Sequence, residues 1–350
     1  MCRSLACAGH DATLIVADGL GNEEKDGVRI LDVGKPRGRL DRMVGASGRV
    51  LKQGQEVDAD IYHLHDPELI LAGLALRRQG KRVIFDAHED LPKQILSKPY
   101  LHPVARRPIS MAMSVFERFV CGRLDHVVAA TPAIRDKFVT LGISSTDVNN
   151  FPMLGELDGA VPWEKKEREV CYVGGISAIR GIREVVAAMG ICRSGARLNL
   201  GGGFPESRVK AGVEKMSGWA AVNELGFLSR EQVRETLGRS VAGIVTFLPE
   251  PNHIDAQPNK MFEYMSAGLP LIASDFPLWR KIVEGNDCGV CVDPADPAAI
   301  AEAIDRLIEY PDLARRMGEN GQRAVHERYN WTIEEEKLLA LYDALLRREK

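Results

Sequence analysis

The chain alternates short β-rich runs with helical stretches, and this alternation starts twice. The first series of β-rich runs covers residues 12–18, 28–33, 61–65, 82–87 and 125–130. The second series covers residues 170–175, 196–203, 220–227, 242–247, 269–275 and 288–293. Such alternation is typical of parallel strands joined by crossover helices. The sequence therefore predicts an α/β fold with two Rossmann-like, doubly wound parallel sheets.

The two series are separated by residues 149–169, which are rich in proline, glycine and charge. This composition is typical of a connection between domains, and 350 residues are enough for two domains of ordinary size. We predict an N-terminal domain over residues 1–152 and a C-terminal domain over residues 153–330. An amphipathic helix over residues 331–350 is expected to need a surface to cover, and the N-terminal domain could supply it.

The chain opens on CRSLACAG, which predicts a helix before any strand. A doubly wound domain usually begins with a central strand and a tight turn that can meet phosphate. We expect either that this strand lies upstream by roughly 15 to 20 residues or that the first domain lacks it.

Composition narrows the classes of function. The chain is 45% hydrophobic and 27% charged, as in soluble globular proteins, and it contains no apolar run long enough to span a bilayer. The N-terminal flanks do not fit a signal peptide, and the scattered cysteines suit a reducing compartment, so we predict a cytoplasmic protein. A formal charge of −3 without a basic, aromatic-rich stripe argues against nucleic acid as a partner.

Residues 252–275 predict a short helix followed by a strand. Pro258 and Asn259 are expected to stop the preceding segment and cap this helix, and Gly268 is expected to end it. The helix would begin at the edge of the sheet where ligands bind. Its N–H groups and the positive end of its dipole would suit a diphosphate.

Two charged residues in this helix are candidates for substrate contacts. Lys260 lies in the first turn, where a cation is disfavoured by about 0.3–1 kcal/mol, so its position makes most sense if an anion shares the site. The alternative is a solvated surface lysine. Glu263 lies one turn further on and could accept hydrogen bonds from ribose hydroxyls, although an exposed helical carboxylate fits the spacing equally well.

A second candidate phosphate loop follows the first strand of the C-terminal domain. Gly174 and Gly175 allow the backbone to approach a ligand closely, and Arg180 could grip a diphosphate through its planar guanidinium. A Gly-Gly pair after a strand is more often only a turn, but two phosphate-compatible loops in one domain support each other. A third glycine turn lies at residues 201–204.

In the first domain, polar side chains gather at the ends of two predicted strands, in HLHDPE (63–68) and DAHED (86–90). They are His63, His65, Asp66, His88 and Glu89. Zinc is the rival interpretation of such a cluster, but no HExxH pattern supports it, so we favour polar contacts to substrate. Strand alternation should place His63 and His65 on one face, with a structural role favoured for the deeper His63.

The segment 106–123 predicts an amphipathic helix with Ile109, Met113, Phe116 and Val120 as its apolar stripe. Packing of this stripe on the core beneath a charged outer face is the expected arrangement. Contact of this helix with an anionic membrane surface is the alternative.

Three segments together resemble the retaining GT-B glycosyltransferases of family 4, and the resemblance extends over nearly the whole chain. They are YVGGISAIRGI, QPNKMFEYMSAGLPLIASDFPLW, and YHLHDPE with DAHED. The resemblance implies two domains facing across a cleft and sugar transfer from a UDP- or GDP-sugar to a hydroxyl acceptor, with retention of configuration. It implies neither metal nor other cofactor, and a saccharide or lipid-linked acceptor in polysaccharide, lipopolysaccharide or glycolipid synthesis.

The resemblance also implies roles for individual residues. Glu263 corresponds to the glutamate that holds the ribose, and Asp255 stands where the family has a glutamate that contacts the transferred sugar. Arg180 takes the place of a lysine that meets the diphosphate. Gly175 stands where a second basic residue is usual, and His88 corresponds to the histidine beside the reacting centre.

From these correspondences we expect Lys260 to replace the charge missing at position 175. The expected catalytic residues are His88, Arg180, Lys260 and Asp255. The expected donor-binding residues are Gly174, Gly175, Arg180, Asn259, Lys260, Glu263, Phe227 and Leu228, the last two near the base. His65, Asp66, His88 and Glu89 are expected on the acceptor side.

The family's first strand and glycine loop have no counterpart in this sequence, which would remove part of the acceptor and phosphate wall. Two other functions stay open, a nucleotide-sugar epimerase and a non-catalytic protein that binds sugar nucleotides. An oxidoreductase is disfavoured, because no GxGxxG follows a strand with an acidic residue about 20 positions later.

Overall fold

The computed structural model of the chain describes residues 1–38, 41–98, 101–157 and 161–347. The chain forms two compact units. The first contains Met1–Asn149 and Ile333–Lys350, and the second contains Asn150–Thr332. Residues 158–160 of the predicted connection and residues 348–350 of the predicted C-terminal helix lie outside the described residues.

Among the described residues before Asn150, the first unit has seven strands and six α-helices. In chain order they are α1 (Cys2–Cys7), β1 (Ala12–Val16), β2 (Glu23–Lys25), β3 (Val28–Asp32), α2 (Ser47–Val57), β4 (Ile61–Leu64), α3 (Ile70–Arg78), β5 (Arg82–Ala87), α4 (Leu91–Leu96), α5 (Pro103–Cys121), β6 (His126–Ala129), α6 (Pro132–Thr140) and β7 (Ser145–Asp147). The predicted opening helix is confirmed as α1. All five strands of the first predicted series form, and the structure adds β2 and β7.

These strands form two sheets rather than the single sheet expected. One has the order β1-β3-β2 and the other β4-β5-β6-β7. The second sheet is parallel throughout, whereas β2 pairs with β3 in antiparallel fashion. The connection between β2 and β3 is Asp26-Gly27, and both residues have positive φ, 52° and 75°. Such a dipeptide closes a two-residue hairpin, which explains the added antiparallel strand.

A cavity of about 1310 Å³ within the first unit is lined by residues of both β1 and β4. Tyr342 and Leu346 also line it. Within the described residues, β1 and β4 are not hydrogen-bonded neighbours in any sheet. The edges of the two sheets therefore border this cavity instead of joining into one sheet.

The second unit contains the other six predicted strands, all of which form. Its elements are β8 (Glu169–Val173), α7 (Ile182–Met189), β9 (Arg197–Gly201), α8 (Ser207–Val213), β10 (Val222–Gly226), α9 (Arg230–Arg239), β11 (Ala242–Val245), α10 (Asn259–Ser266), β12 (Leu271–Ser274), α11 (Pro277–Val283), β13 (Gly289–Val292), α12 (Pro297–Glu309) and α13 (Pro311–Glu327). The last helix, α14 (Trp331–Arg347), follows.

The six strands of the second unit form one parallel sheet in the order β10-β9-β8-β11-β12-β13. This is the strand order of the Rossmann fold, in which the winding direction reverses between the first and fourth strands, here β8 and β11. The predicted doubly wound sheet is confirmed for this unit. Ligands of such sheets bind beyond the carboxyl ends of the strands at the reversal.

Helices cover both faces of this sheet. Along β8, Val170 and Tyr172 belong to a hydrophobic cluster that includes residues of α7 and α12. Cys171 belongs to a second cluster that includes residues of α10, α11 and α13. Because successive side chains of a strand alternate between faces, a strand buried on both sides must be apolar throughout, as β8 largely is.

The long helix α5 differs from its prediction. Val120 is buried and Phe116 packs against the core, but Ile109 is 39% exposed. The outer face is apolar as well as charged, with Val104, Met111, Val115 and Phe119 each more than half exposed. Among the described residues, no helix is both long and apolar enough to cross a membrane.

Most of α14 belongs to the first unit. Leu338 and Leu345 are buried, and so is Glu334. The Glu334 carboxylate accepts hydrogen bonds from the Asn149 backbone N–H at 2.8 Å and from Lys337 Nζ at 2.9 Å. The helix is therefore part of the folded unit and not an appended tail.

We expect Leu338→Ala to lower the free energy of unfolding by about 2–5 kcal/mol, since it removes a fully buried leucine. Leu346, on the same helix, is 37% exposed, and Leu346→Ala should change stability by less than about 0.5 kcal/mol. Urea unfolding of the two variants compares these costs. Equal, small effects would show that α14 contributes little to the core.

Candidate functional site

The candidate residues of the second unit surround the carboxyl ends of β8 and β11, where the winding of the sheet reverses. Gly174 and Gly175 directly follow β8, and Arg180 lies in the 3-10 turn Ala178–Arg180 before α7. Lys260 is in the first turn of α10, which follows β11 in the chain. We call Lys260, Arg180, the two glycines and the start of α10 the cationic site.

Lys260 is the most unusual residue of this site. Its side chain is buried, and Nζ has no hydrogen-bond partner within the described parts of the chain. The ammonium lies 3.7 Å from the centre of the Tyr172 ring and 5.7 Å from that of Phe247. Burial, and then the nearby charge of Arg180, lower the pKa of Lys260 to about 7. The sequence alternative of a solvated surface lysine is therefore wrong.

Arg180 occupies the space beside the glycine turn. Its Nη1 donates a hydrogen bond to the Gly175 carbonyl oxygen at 3.2 Å. A Cβ added at Gly175 would collide with the Arg180 guanidinium. The Arg180 guanidinium therefore fills the space that a side chain at position 175 would occupy.

Gly174 is required by its backbone conformation. Its φ of 121° is a conformation that side chains rarely adopt, and an added Cβ would lie 3.3 Å from Lys260 Cε. The turn and the buried lysine are therefore packed against each other, and both phosphate-compatible loops predicted from the sequence meet at one place.

Helix α10 begins at Asn259 with Pro258 as its N-cap. The prediction that Asn259 caps the helix is wrong, because no side-chain cap hydrogen bond is present and Asn259 is already the first helical residue. Proline has no N–H and no polar side chain with which to cap. The start of α10 therefore receives no hydrogen bond from the side chain of its N-cap residue. The predicted role of Gly268 is confirmed, since it follows the helix with a φ of 71°.

Glu263 forms an ion pair that the sequence analysis missed. Its Oε1 accepts a hydrogen bond from Arg230 Nη1 at 2.7 Å, and Arg230 Nε also donates to Glu156 Oε1 at 2.7 Å. The sequence contains a signal for the position of Arg230, the capping box of Ser229 and Gln232. This motif starts α9 soon after β10, and it therefore places Arg230 at the edge of the sheet where ligands bind. The carboxylate of Glu263 is oriented by this arginine.

Phe227 and Leu228 follow β10 at the same edge. Phe227 is 89% exposed, and a Cβ added at Gly203 would lie 2.6 Å from its ring. Leu228 is half-buried and packs against the core. The third glycine turn thus leaves room for an exposed aromatic ring. Asp255 is exposed in the turn between β11 and α10.

A separate polar cluster lies in the first unit at the ends of β4 and β5. Asp86 Oδ2 lies 3.2 Å from His65 Nδ1, 3.5 Å from His63 Nε2 and 3.8 Å from His88 Nε2. The rings of His63 and His65 stack with centroids 4.6 Å apart, which confirms that they share one face. We call these four residues the histidine–aspartate cluster.

The sequence analysis did not include Asp86 in this cluster, because the residue belongs to a predicted strand whose other members are mostly apolar. The signal was register: in the parallel pair, Leu64 lies opposite Phe85, so alternation puts His65 and Asp86 side by side on the other face. Two other predicted members, Asp66 and Glu89, are exposed. Asp66 Oδ1 lies 3.8 Å from Arg42 Nη2.

The cluster favours an ionised Asp86 carboxylate beside a neutral His63 imidazole. Burial raises the pKa of Asp86, but the contacts with His63 and His65 and the charge of His88 together outweigh it, so the pKa is below its usual value. Burial lowers the pKa of His63, against the opposing effect of Asp86.

Comparison with known proteins gives the family. Residues 156–324 match the model of glycosyl transferases group 1, and residues 1–150 match the model of glycosyltransferase family 4. The two matches adjoin and together cover most of the chain. This chain belongs to the group 1 glycosyltransferases.

Solved structures of low identity share the fold. Sucrose-phosphate synthase from Thermosynechococcus elongatus superposes with a TM-score of 0.81 at 19% identity, over 99% of this chain and 92% of that one. HepE from Anabaena, solved in complex with UDP-glucose, gives a TM-score of 0.72 at 14% identity, over 95% of this chain and 99% of that one. The predicted GT-B fold is confirmed.

Curated relatives match over shorter stretches. Alpha-D-kanosaminyltransferase from Streptomyces kanamyceticus is 26% identical over 180 residues, 49% of this chain and 45% of that protein. Phosphatidyl-myo-inositol mannosyltransferase from Mycobacterium leprae is 31% identical over 85 residues, 24% of this chain and 22% of that protein. The chain thus spans less than half the length of these relatives.

The depressed pKa of Lys260 predicts how stability depends on pH. Between about pH 7 and 10.4 the native lysine is neutral while the unfolded one is protonated, so the unfolded state binds more protons and stability rises with pH. Lys260→Met removes this proton linkage but keeps the length of the side chain. We expect the variant to be more stable than the wild type near pH 7, with an advantage that shrinks by up to about 1.4 kcal/mol per pH unit towards pH 10.

Chemical denaturation of both proteins at several pH values measures this difference. A stability difference that stays constant from pH 7 to 10 would contradict a lysine buried with a lowered pKa.

Proposed function

We propose that this protein transfers a sugar from a nucleotide-diphosphate sugar to a hydroxyl acceptor, with retention of anomeric configuration. One observation carries the proposal: the buried Lys260 ammonium, without a hydrogen-bond partner in the described chain, beside a glycine turn at the reversal of a Rossmann sheet. A buried cation is costly unless it is paired. A bound diphosphate would supply the missing anion.

The surroundings of Lys260 favour a diphosphate over a single carboxylate. Arg180 offers a planar fork beside the same turn, and the uncapped start of α10 offers a positive dipole end. Three positive elements converge on one position, which suits a ligand with two adjacent charged groups. The complexes of HepE with UDP and with UDP-glucose support a nucleotide sugar as the donor. Both UDP- and GDP-sugars are candidates.

The remaining donor contacts follow from the same placement. Glu263, held by Arg230, is proposed to accept hydrogen bonds from the ribose hydroxyls. Gly174 and Gly175 let the diphosphate approach the backbone, and Asn259 contributes the first turn of α10. The base is proposed to lie against the loop of Phe227 and Leu228, with Asp255 near the transferred sugar.

For the chemistry we propose a front-face displacement. The acceptor hydroxyl attacks the anomeric carbon from the side on which the diphosphate leaves, and the diphosphate oxygen takes the acceptor proton. Arg180, Lys260 and the start of α10 stabilise the negative charge that develops on the leaving group. These cations replace the charge that a metal would supply at the diphosphate, so we propose that donor binding needs neither metal nor other cofactor.

The acceptor is proposed to be a saccharide or a lipid-linked saccharide, used in building polysaccharide, lipopolysaccharide or glycolipid. Its contacts are proposed in the first unit, at His65, Asp66, His88 and Glu89, with His88 beside the reacting centre. The exposed apolar face of α5 supports peripheral contact with a membrane, because Arg107 and Arg118 flank it and could meet anionic headgroups. Contact at the inner face would suit a lipid-linked acceptor.

Binding of UDP and GDP tests the donor site. We expect one of them to raise the melting temperature of the wild type, because a ligand that binds only the native state stabilises it. Loss of a charge-assisted contact of about 1.5–3 kcal/mol should weaken binding roughly tenfold to a hundredfold in Lys260→Met and in Arg180→Ala. Calorimetric titration of each variant measures the change in affinity.

Lys281→Ala is the matched control, since Lys281 is an exposed lysine of the same unit. It should bind the nucleotide as the wild type does. Unchanged affinity in both Lys260→Met and Arg180→Ala, or no affinity of the wild type for any UDP or GDP compound, would refute the proposed donor site.

Two other functions use the same donor site. A nucleotide-sugar epimerase would change the donor without an acceptor, and a non-catalytic protein would bind it without turnover. Product analysis by NMR with and without acceptor saccharides separates these possibilities from transfer, and the anomeric coupling of the product reports whether configuration is retained.

A further inference from the structure

We propose that His63, His65 and Asp86 bind one divalent metal ion of the zinc class, with His88 completing the coordination. This site lies in the first unit and shares no residue with the proposed donor site. His65 and His88 also belong to the proposed acceptor side, but the proposed function places no metal ion there, so the inference goes beyond it. The sequence favoured polar substrate contacts over zinc for these histidines. The positions of the donor atoms reverse that preference.

The donor atoms are spaced as tetrahedral ligands are. Ligands at about 2.0–2.1 Å from zinc lie roughly 3.3 Å from one another. In the histidine–aspartate cluster, His65 Nδ1 lies 3.2 Å from Asp86 Oδ2 and 3.4 Å from His88 Nε2, and His63 Nε2 lies 3.5 Å from the same Oδ2. The donor atoms of His63, His65 and Asp86 all lie within 4.8 Å of one another.

These atoms lack the partners that buried polar atoms normally have. His63 Nε2 and both carboxylate oxygens of Asp86 are buried, and none has a hydrogen-bond partner in the part of the chain that the structure describes. The side chains of His63 and Asp86 are only 8% and 1% exposed. Buried polar groups are almost always satisfied, so these facing atoms are expected to share a bound ion or water. An ion would also bring the three side chains to one centre.

The outer ring nitrogen of His63 is held as in known metal sites. Tyr342 Oη lies 3.0 Å from His63 Nδ1, and Tyr342 is itself buried. When Nδ1 donates its proton to this hydroxyl, Nε2 carries the lone pair that faces Asp86. Metal-bound histidines usually donate the second ring N–H to a carboxylate, a backbone carbonyl or water, which fixes the ring and its tautomer, and here the Tyr342 hydroxyl would take that place. Tyr342 is therefore a positioning residue.

The types of ligand atom narrow the choice of metal. Imidazole nitrogens suit zinc, copper, nickel and iron, whereas magnesium and calcium prefer oxygen ligands. Three imidazoles and one carboxylate at the ends of two hydrogen-bonded strands fit zinc. A bound ion would fix the rings of His65 and His88 at the carboxyl ends of β4 and β5, where the acceptor is proposed to bind.

Titration of chelator-treated full-length chain with ZnCl2, followed by calorimetry, tests this inference. We expect one ion per chain in the wild type and loss of that binding in His65→Gln, whose partly exposed side chain can be changed with little effect on folding. Tyr342→Phe should weaken binding by about 10–100-fold, since it removes the hydrogen bond that orients His63. Visible absorption of the Co2+-loaded wild type should show tetrahedral coordination.

His326→Gln, at an exposed histidine of the second unit, is the control and should bind zinc as the wild type does. Melting curves establish that each variant is folded. Absence of saturable zinc binding in the wild type, or equal binding by His65→Gln, would overturn the inference and leave a metal-free polar network. Because nucleotide binding is measured separately, a loss of zinc binding with an intact UDP or GDP response refutes the metal site alone.

Discussion

The second unit is organised around one buried cation. Lys260 Nζ lies against the Tyr172 ring at 3.7 Å, and no hydrogen bond from the described residues satisfies it. Removing an ammonium from water is costly, and its pKa near 7 expresses that cost. A cation–π contact compensates only in part. The free protein therefore holds an electrostatic cost that an anion would relieve, and this is what ties the fold to its proposed ligand.

The Rossmann sheet places this cation where a ligand can reach it. The reversal of winding between β8 and β11 opens a crevice at their carboxyl ends, and the turn after β8 needs glycine at 174, where φ is 121°. Arg180 fills the space that a side chain at 175 would take. We propose that one arginine and one buried lysine replace the pair of basic residues that the family resemblance implies, with the second cation coming from α10 instead of the turn.

The sequence predicted the second sheet, both glycine loops and α10, because each rests on local pattern: apolar runs, turn glycines and a helix stop at Gly268. It missed contacts that depend on packing. Arg230 and Asp86 meet their partners through strand neighbours distant in the chain, and periodicity alone does not show which strands pair. The antiparallel strand β2 has a local signal in the Asp26-Gly27 pair. The sequence did not predict the exposed apolar face of α5, because apolar residues on that face have the same pattern as residues that pack against the core.

Proton uptake on nucleotide binding tests the central claim most directly. At pH 8 the free Lys260 is mostly neutral, and a bound diphosphate would hold it in its charged form. Calorimetric enthalpies of nucleotide binding, measured in two buffers of different ionisation enthalpy, count the protons exchanged. The account predicts uptake of about one proton per nucleotide by the wild type and none by Lys260→Met. Nucleotide binding without proton uptake, or with equal uptake by both proteins, would contradict it.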